Sequence, residues 1–226
     1  TGYKCNAMQT VMADYYNRVL ATKGKVDVFS IIKFRKPTNG SVNTAEFDFP
    51  DQIDRSQPWI REAPVGDWFY APGFTYDSPS MIRFVIEAIC RDGNAALSIP
   101  LRPDGSLEDE CVAMLEEFGD WMSINGKAVY GSKAWVTPGE GEIVRGKLKK
   151  LPGGGLGRSQ KNFKFDAQDI RFTEGKDGAI YAFTMNIPEN GRTVRIKSMG
   201  KGTGSLGKVK RVSLLGYDGK VKWKHT

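Results

Sequence analysis

Histidine is scarce in this 226-residue sequence: the single one, His225, is the penultimate residue. A histidine-based catalytic triad or zinc site inside the chain is thereby excluded. Cysteine is scarce too. Cys5, Cys90 and Cys111 are odd in number and show no CxxC spacing, which argues against a disulfide framework and against a metal knuckle. Cys90 and Cys111 fall among apolar helical positions and read as buried free thiols. No cofactor and no metal are expected. No apolar run approaches the roughly 18 residues of a membrane span. The numbered sequence opens on Thr1 without a visible leader, which says nothing about compartment.

Charge is present in both signs but unevenly placed. Residues 1–130 hold 13 Lys and Arg against 18 Asp and Glu, and residues 131–226 hold 20 against 8. This change of sign reads as two modules with different surfaces. The hydrophobic spacing changes at the same place. Met8, Val11, Met12, Tyr15, Val19 and Leu20 recur every three or four residues, predicting an amphipathic helix that ends near Gly24. Residues 26–34 are mostly apolar and β-branched, as in a buried parallel strand. Residues 44–49 predict a second short strand, and residues 59–70 hold large aromatics without clear periodicity.

Helical spacing returns at residues 78–91, begun by Ser78-Pro79 and stopped by Asp92-Gly93. Residues 94–101 predict a strand, and Arg102-Pro103-Asp104-Gly105 a turn. A third helix is predicted over residues 107–125, ended by Asn125-Gly126. This is the rhythm of βα units. It stops after Tyr130. Beyond lie short alternating runs at residues 169–172, 179–185, 193–196, 209–215 and 221–223, separated by turn residues, as in a β-sandwich. The expected division is residues 1–135 and residues 136–226.

Four stretches carry a family resemblance. They are Asn43-Thr44-Ala45-Glu46-Phe47; Gln57-Pro58-Trp59 running to Gly66-Asp67-Trp68-Phe69-Tyr70; residues 86–99 with Arg102-Pro103-Asp104-Gly105; and Gly119-Asp120-Trp121 running to Asn125-Gly126-Lys127-Ala128-Val129-Tyr130-Gly131. Together, in this order, they resemble glycoside hydrolase family 29, the α-L-fucosidases. The run from Asp166 to Thr173 resembles a strand of that family's sandwich. The resemblance implies an α/β plus all-β fold: the C-terminal half of a (β/α)-barrel followed by a small antiparallel β-sandwich. It implies hydrolysis of terminal α-L-fucosides with retention, acting on fucosylated glycans or glycoconjugates in an exported setting (periplasmic, secreted or lysosomal). Thr1-Gly2-Tyr3 is similar to the residues that follow the family's Asp nucleophile. The resemblance therefore places that nucleophile upstream of this chain, and the chain alone is expected to be inactive.

Retaining glycosidases need two carboxyl groups, one to attack the anomeric carbon and one to protonate the leaving oxygen and then activate water. Glu46 follows a strand-like pattern, where barrel enzymes place catalytic groups at C-terminal strand ends. Its Thr44-Ala45-Glu46 setting is similar to an acid/base position in some family members. Glu62, between Trp59 and Trp68, is the rival acid/base, because other branches of the family use that region. Ile60 stands where their common pattern has Glu. Trp68 offers an indole to the C–H face and methyl group of fucose. Arg35, just after the first strand, can hydrogen-bond sugar hydroxyls or a carboxylate. Ordinary alternatives stand beside each: a solvated glutamate, a core tryptophan, an exposed arginine. Two other functions compete: a non-catalytic carbohydrate-binding or interaction module, and a nucleic-acid binder using the C-terminal lysines. The second is disfavoured, since those lysines alternate with apolar residues and few aromatics interleave. No nucleic-acid partner and no membrane span are expected, and oligomerisation is left open.

Overall fold

Four short parallel strands set the first half of the molecule. The computed structural model describes residues 7–33, 40–46, 49–142 and 165–226. The strands are β1 (Ser30–Lys33), β2 (Ser41–Glu46), β3 (Trp59–Pro64) and β4 (Asn94–Ser98), in the order β1-β2-β3-β4. Every pairing in this sheet is parallel. Parallel neighbours need crossover connections. Helix α2 (Ser78–Ile89) makes the crossover from β3 to β4. Its start is well specified: Asp77 caps it by accepting from the Ser80 N–H at 2.9 Å, and Pro79 lies in the first turn, where its missing N–H costs nothing.

The side-chain period of two gives this sheet two unlike faces. Trp59, Ala63, Ala95 and Leu97 lie on one face and pack against Phe84 and Ala88 of α2, with Phe49 completing the cluster. Arg61, on that same face, stacks on the Trp59 ring with its guanidinium carbon 4.6 Å from the ring centre. The other face collects Lys33, Thr44, Glu46 and Glu62. Strand β3 escapes the sequence pattern because its two central residues, Arg61 and Glu62, are charged. Its true alternation is of environment, one face toward α2 and one toward the polar cluster.

Helix α1 (Ala7–Lys23) has the anticipated apolar spacing, but none of its residues is buried and Val11 is 67% exposed. Its contact with the sheet runs through Tyr16, whose hydroxyl accepts from the Ser30 N–H at 2.9 Å. Helix α3 (Asp109–Val129) does not end at Asn125-Gly126 as expected. Asn125 turns its side chain back onto the Trp121 carbonyl at 2.9 Å, so it supports the helix. The left-handed residue that ends the helix is Gly131, at φ 64°, following the cap Tyr130.

The second sheet is antiparallel, ordered β5-β6-β7, with β5 (Lys133–Glu140), β6 (Ile170–Glu174) and β7 (Ile180–Thr184). The α/β plus all-β class thus holds, and the anticipated division at residue 135 falls within β5. The runs at 193–196, 209–215 and 221–223 are not strands. A strand needs a ladder partner, and these runs pair with none among the described residues. Two 3-10 turns, Lys197–Met199 and Lys201–Thr203, bend this part of the chain. The apolar alternation there serves packing instead: Val194, Ile196, Met199 and Leu206 cover Trp135, Ile170 and Phe172.

The two halves share a core. Ile86 of α2 and Ala128 of α3 pack with Phe165, Phe183 and Met185. Within it Glu87 of α2 is wholly buried and takes both Arg91 and Arg171 as partners. Burial pushes the Glu87 carboxyl up, but the two guanidinium groups outweigh it and hold it at about 2. Cys90 and Cys111 are buried free thiols, and burial pushes Cys90 up to about 12. Cys5 lies outside the described residues.

The tightest backbone approach in the first half is at Gly93. A Cβ there would stand 2.2 Å from the Trp59 ring, which Arg61 and the Asp54 carbonyl already fix in place. Gly93→Ala is expected to destabilise the fold by about 1–3 kcal/mol through overpacking. The measurement is the urea midpoint of the full-length protein, which should fall with no change in the slope of the transition.

Candidate active site

The polar face of the parallel sheet ends in one charged cluster. Lys33 is the last residue of β1 and Glu46 the last of β2, while Glu62 lies opposite Glu46 on β3. Parallel pairing puts all three at the C-terminal edge, and the period of two aims them to the same side. The Lys33 ammonium lies 2.7 Å from Glu46 Oε1 and 2.8 Å from Glu62 Oε2. Thr44, buried between the glutamates on β2, donates its hydroxyl to Glu62 Oε1 at 2.7 Å.

Trp68 follows β3 in the loop at the same edge. Its ring centre lies 5.2 Å from Lys33 Nζ, a cation–π contact. The indole is 37% exposed, so it forms part of the wall of the edge instead of the core. Lys33 thus touches both candidate carboxylates and the candidate sugar platform. Arg35, two residues further on, lies outside the described residues, as does Phe47 beside Glu46.

The two glutamates are held differently. Glu62 uses both oxygens, one toward Thr44 and one toward Lys33. Burial pushes its carboxyl up, but the hydrogen bonds from Lys33 and Thr44 and the lysine charge outweigh burial and leave it below the usual range. A carboxylate anchored in this way stays ionised and accepts bonds. Glu46 is joined to Lys33 through Oε1 alone, and Oε2 has no bond among the described residues. Lys33 is raised above its ordinary value, first by hydrogen bonds to Glu46 and Glu62.

Lys33 was not singled out by sequence reasoning. The signal was a lone cation inside the apolar run 26–34, two residues before Arg35. In a strand buried on both faces, such a residue needs a partner. Arg102-Pro103-Asp104-Gly105 is a turn, as read: Asp104 Oδ1 accepts from the Ser106 N–H at 2.9 Å, and Arg102 reaches Glu108 at 2.7 Å. Among the described residues, no helix is long and apolar enough to cross a membrane.

With this geometry in view, relatives of the chain are informative. The family model described as Alpha-L-fucosidase matches residues 3–127, and the one described as Alpha-L-fucosidase C-terminal domain matches residues 164–226. Tissue alpha-L-fucosidase of Rattus norvegicus is 24% identical over 147 residues, which is 65% of this chain and 25% of that protein. The Homo sapiens counterpart is 25% identical over 147 residues, again covering 65% of this chain and 25% of that protein. The chain therefore spans about a quarter of the length of these relatives. A solved structure of Thermotoga maritima alpha-fucosidase, in complex with a mechanism-based inhibitor, superposes with a TM-score of 0.57 at 19% identity. That match covers 80% of this chain and 36% of the other, and it supports the fold of both sheets together. With the family match extending over more than half its length, the chain belongs to the α-L-fucosidase family.

Proposed function

We propose that the chain forms part of a retaining exo-α-L-fucosidase, supplying the acid/base half of an active site whose Asp nucleophile lies upstream of it. The observation that carries this reading is the cluster of Glu46, Glu62, Lys33 and Trp68 at the C-terminal edge of one parallel sheet. Barrel enzymes build their sites at that edge. Glu46 is the acid/base: it ends its strand and keeps one oxygen unbonded among the described residues. Glu62 is the weaker candidate, because a carboxylate held ionised by Lys33 and Thr44 is poorly suited to donate a proton. Nor do the two glutamates form a complete catalytic pair. One ammonium bridges them and occupies the gap where an anomeric carbon would have to sit.

Trp68 and Arg35 are the proposed sugar-binding residues. An indole can cover the apolar side of fucose and exclude water, and a guanidinium has the donors to hydrogen-bond sugar hydroxyls. The substrates are fucosylated glycans or glycoconjugates, and the compartment is an exported one, periplasmic, secreted or lysosomal. The test is hydrolysis of an aryl α-L-fucoside by the full-length protein, with the anomer of the first product followed by proton NMR. α-L-Fucose as the initial product is expected. β-L-Fucose as the initial product would exclude the retaining pathway, and no cleavage of any α-L-fucoside would exclude the fucosidase.

A further inference from the structure

We propose that Lys33 and Glu62 are positioning residues that set the working pH of Glu46: Glu62 is a permanent counter-charge to Lys33, so that Glu46 is left able to gain and lose a proton. The inference rests on the fucosidase reading above and deepens it.

The geometry supplies the argument. A lysine beside an acid/base would by itself hold that group ionised and spoil it as a proton donor, since an opposite charge within a few ångströms favours the charged form. Here the lysine is shared. Its ammonium contacts Glu46 and Glu62 at nearly equal distances, 2.7 and 2.8 Å. Glu62 is anchored a second time by Thr44, which is 1% exposed and so has little freedom to turn away. The pair Lys33–Glu62 is therefore close to neutral as seen from Glu46, and a proton on Glu46 Oε2 costs no broken bond among the described residues.

The surroundings reinforce this. On the same face β4 brings no titratable group. Arg61 of β3 lies on the opposite face, over the Trp59 ring. Asp67, adjacent to Trp68 in the loop after β3, and Asp48, two residues after Glu46 and outside the described residues, are the acidic groups nearby in sequence. The Trp68 ring stands 5.2 Å from the lysine ammonium on the loop side. Arg35 lies outside the described residues.

The test is the pH dependence of kcat/KM for the full-length protein on an aryl α-L-fucoside, in which the basic limb reports loss of the protonated acid. Lys33→Met removes the cation and leaves Glu46 facing an uncompensated Glu62 anion, so the basic limb should move up by about one pH unit. Glu62→Gln removes the anion and leaves the whole lysine charge to Glu46, so the limb should move down by about one unit. Lys33→Arg should return the limb close to its starting place. A residue with only a structural role lowers activity without moving the limb in opposite directions. Both limbs moving the same way, or neither moving, overturns the proposal. Carbon-13 NMR titration of the glutamate carboxyls in the same variants reads the coupled cluster without turnover. Opposite titration shifts in a protein that cleaves no fucoside would uphold the charge bridge while removing the fucosidase reading. Equal shifts in an active fucosidase would do the reverse.

Discussion

Glu46→Gln in the full-length protein is expected to lose about 10²–10⁴-fold of its activity on natural α-L-fucosides. The alcohol leaving group of such a substrate is poor and departs only as it gains a proton. An aryl fucoside with an acidic phenol leaves without that help, so its first step should be much less affected, and the glycosyl-enzyme should then accumulate. Water attacks that intermediate slowly when no base removes its proton. Azide needs no base. It attacks the anomeric carbon, the ester bond to the upstream Asp breaks, and the Asp carboxylate is released. Added azide should therefore restore turnover of the aryl substrate and give α-L-fucosyl azide, because two inversions restore the starting configuration. Glu62→Gln should keep measurable activity on natural substrates and show no azide product. If the azide product comes from Glu62→Gln instead, while Glu46→Gln stays near normal, the acid/base role passes to Glu62.

The sequence makes much of this legible, and the failures have physical causes. The βα rhythm identifies β1, β2, β4 and the three helices, because apolar spacing marks an element whether or not its apolar side is covered: α2 packs its own against β3, while α1 buries none of its residues. β3 is hidden because Arg61 and Glu62 sit at its centre. Both are charges that a strand tolerates only when a ring or a counter-ion receives them, as Trp59 and Lys33 do here. Glu46 and Trp68 could be singled out as candidates from local motifs. Lys33 could not, since its importance lies in register: it meets Glu46 and Glu62 only after three strands align. Past residue 190 the alternation of Val194 and Ile196 is genuine, yet it marks side chains that cover Trp135 and Phe172, not a hydrogen-bonded ladder. A period of two tells which residues share a side; it does not tell whether a partner strand exists.

The same kind of invisibility applies to Glu87, which reads in sequence as one more residue of α2. Glu87→Gln is expected to destabilise the full-length protein by about 3–5 kcal/mol, because it leaves two buried guanidinium groups without their anion. Glu87 Oε1 takes Arg171 Nε at 2.8 Å, and its second oxygen takes Arg91. Arg91 already has one buried nitrogen, Nε, without a partner. The pH dependence follows from the same contacts. The carboxyl is held at about 2, below its ordinary 4.5, so its stabilisation is present in full above pH 4.5 and is lost as pH falls toward 2. Urea unfolding of the wild type should weaken across that window, and Glu87→Gln should weaken less across it. The double variant Glu87→Leu, Arg171→Met separates attraction from orphaning. It removes one cation with the anion, and Arg91 keeps its bond to the Glu87 carbonyl at 2.9 Å, so it should cost less than Glu87→Gln alone. A double variant that is as unstable as the single one would mean that the helix α2 to β6 contact depends on the ion pair itself. Activity should follow stability here, because α2 packs directly on β3 through Phe84, Ala88, Trp59 and Ala63, and β3 carries Glu62.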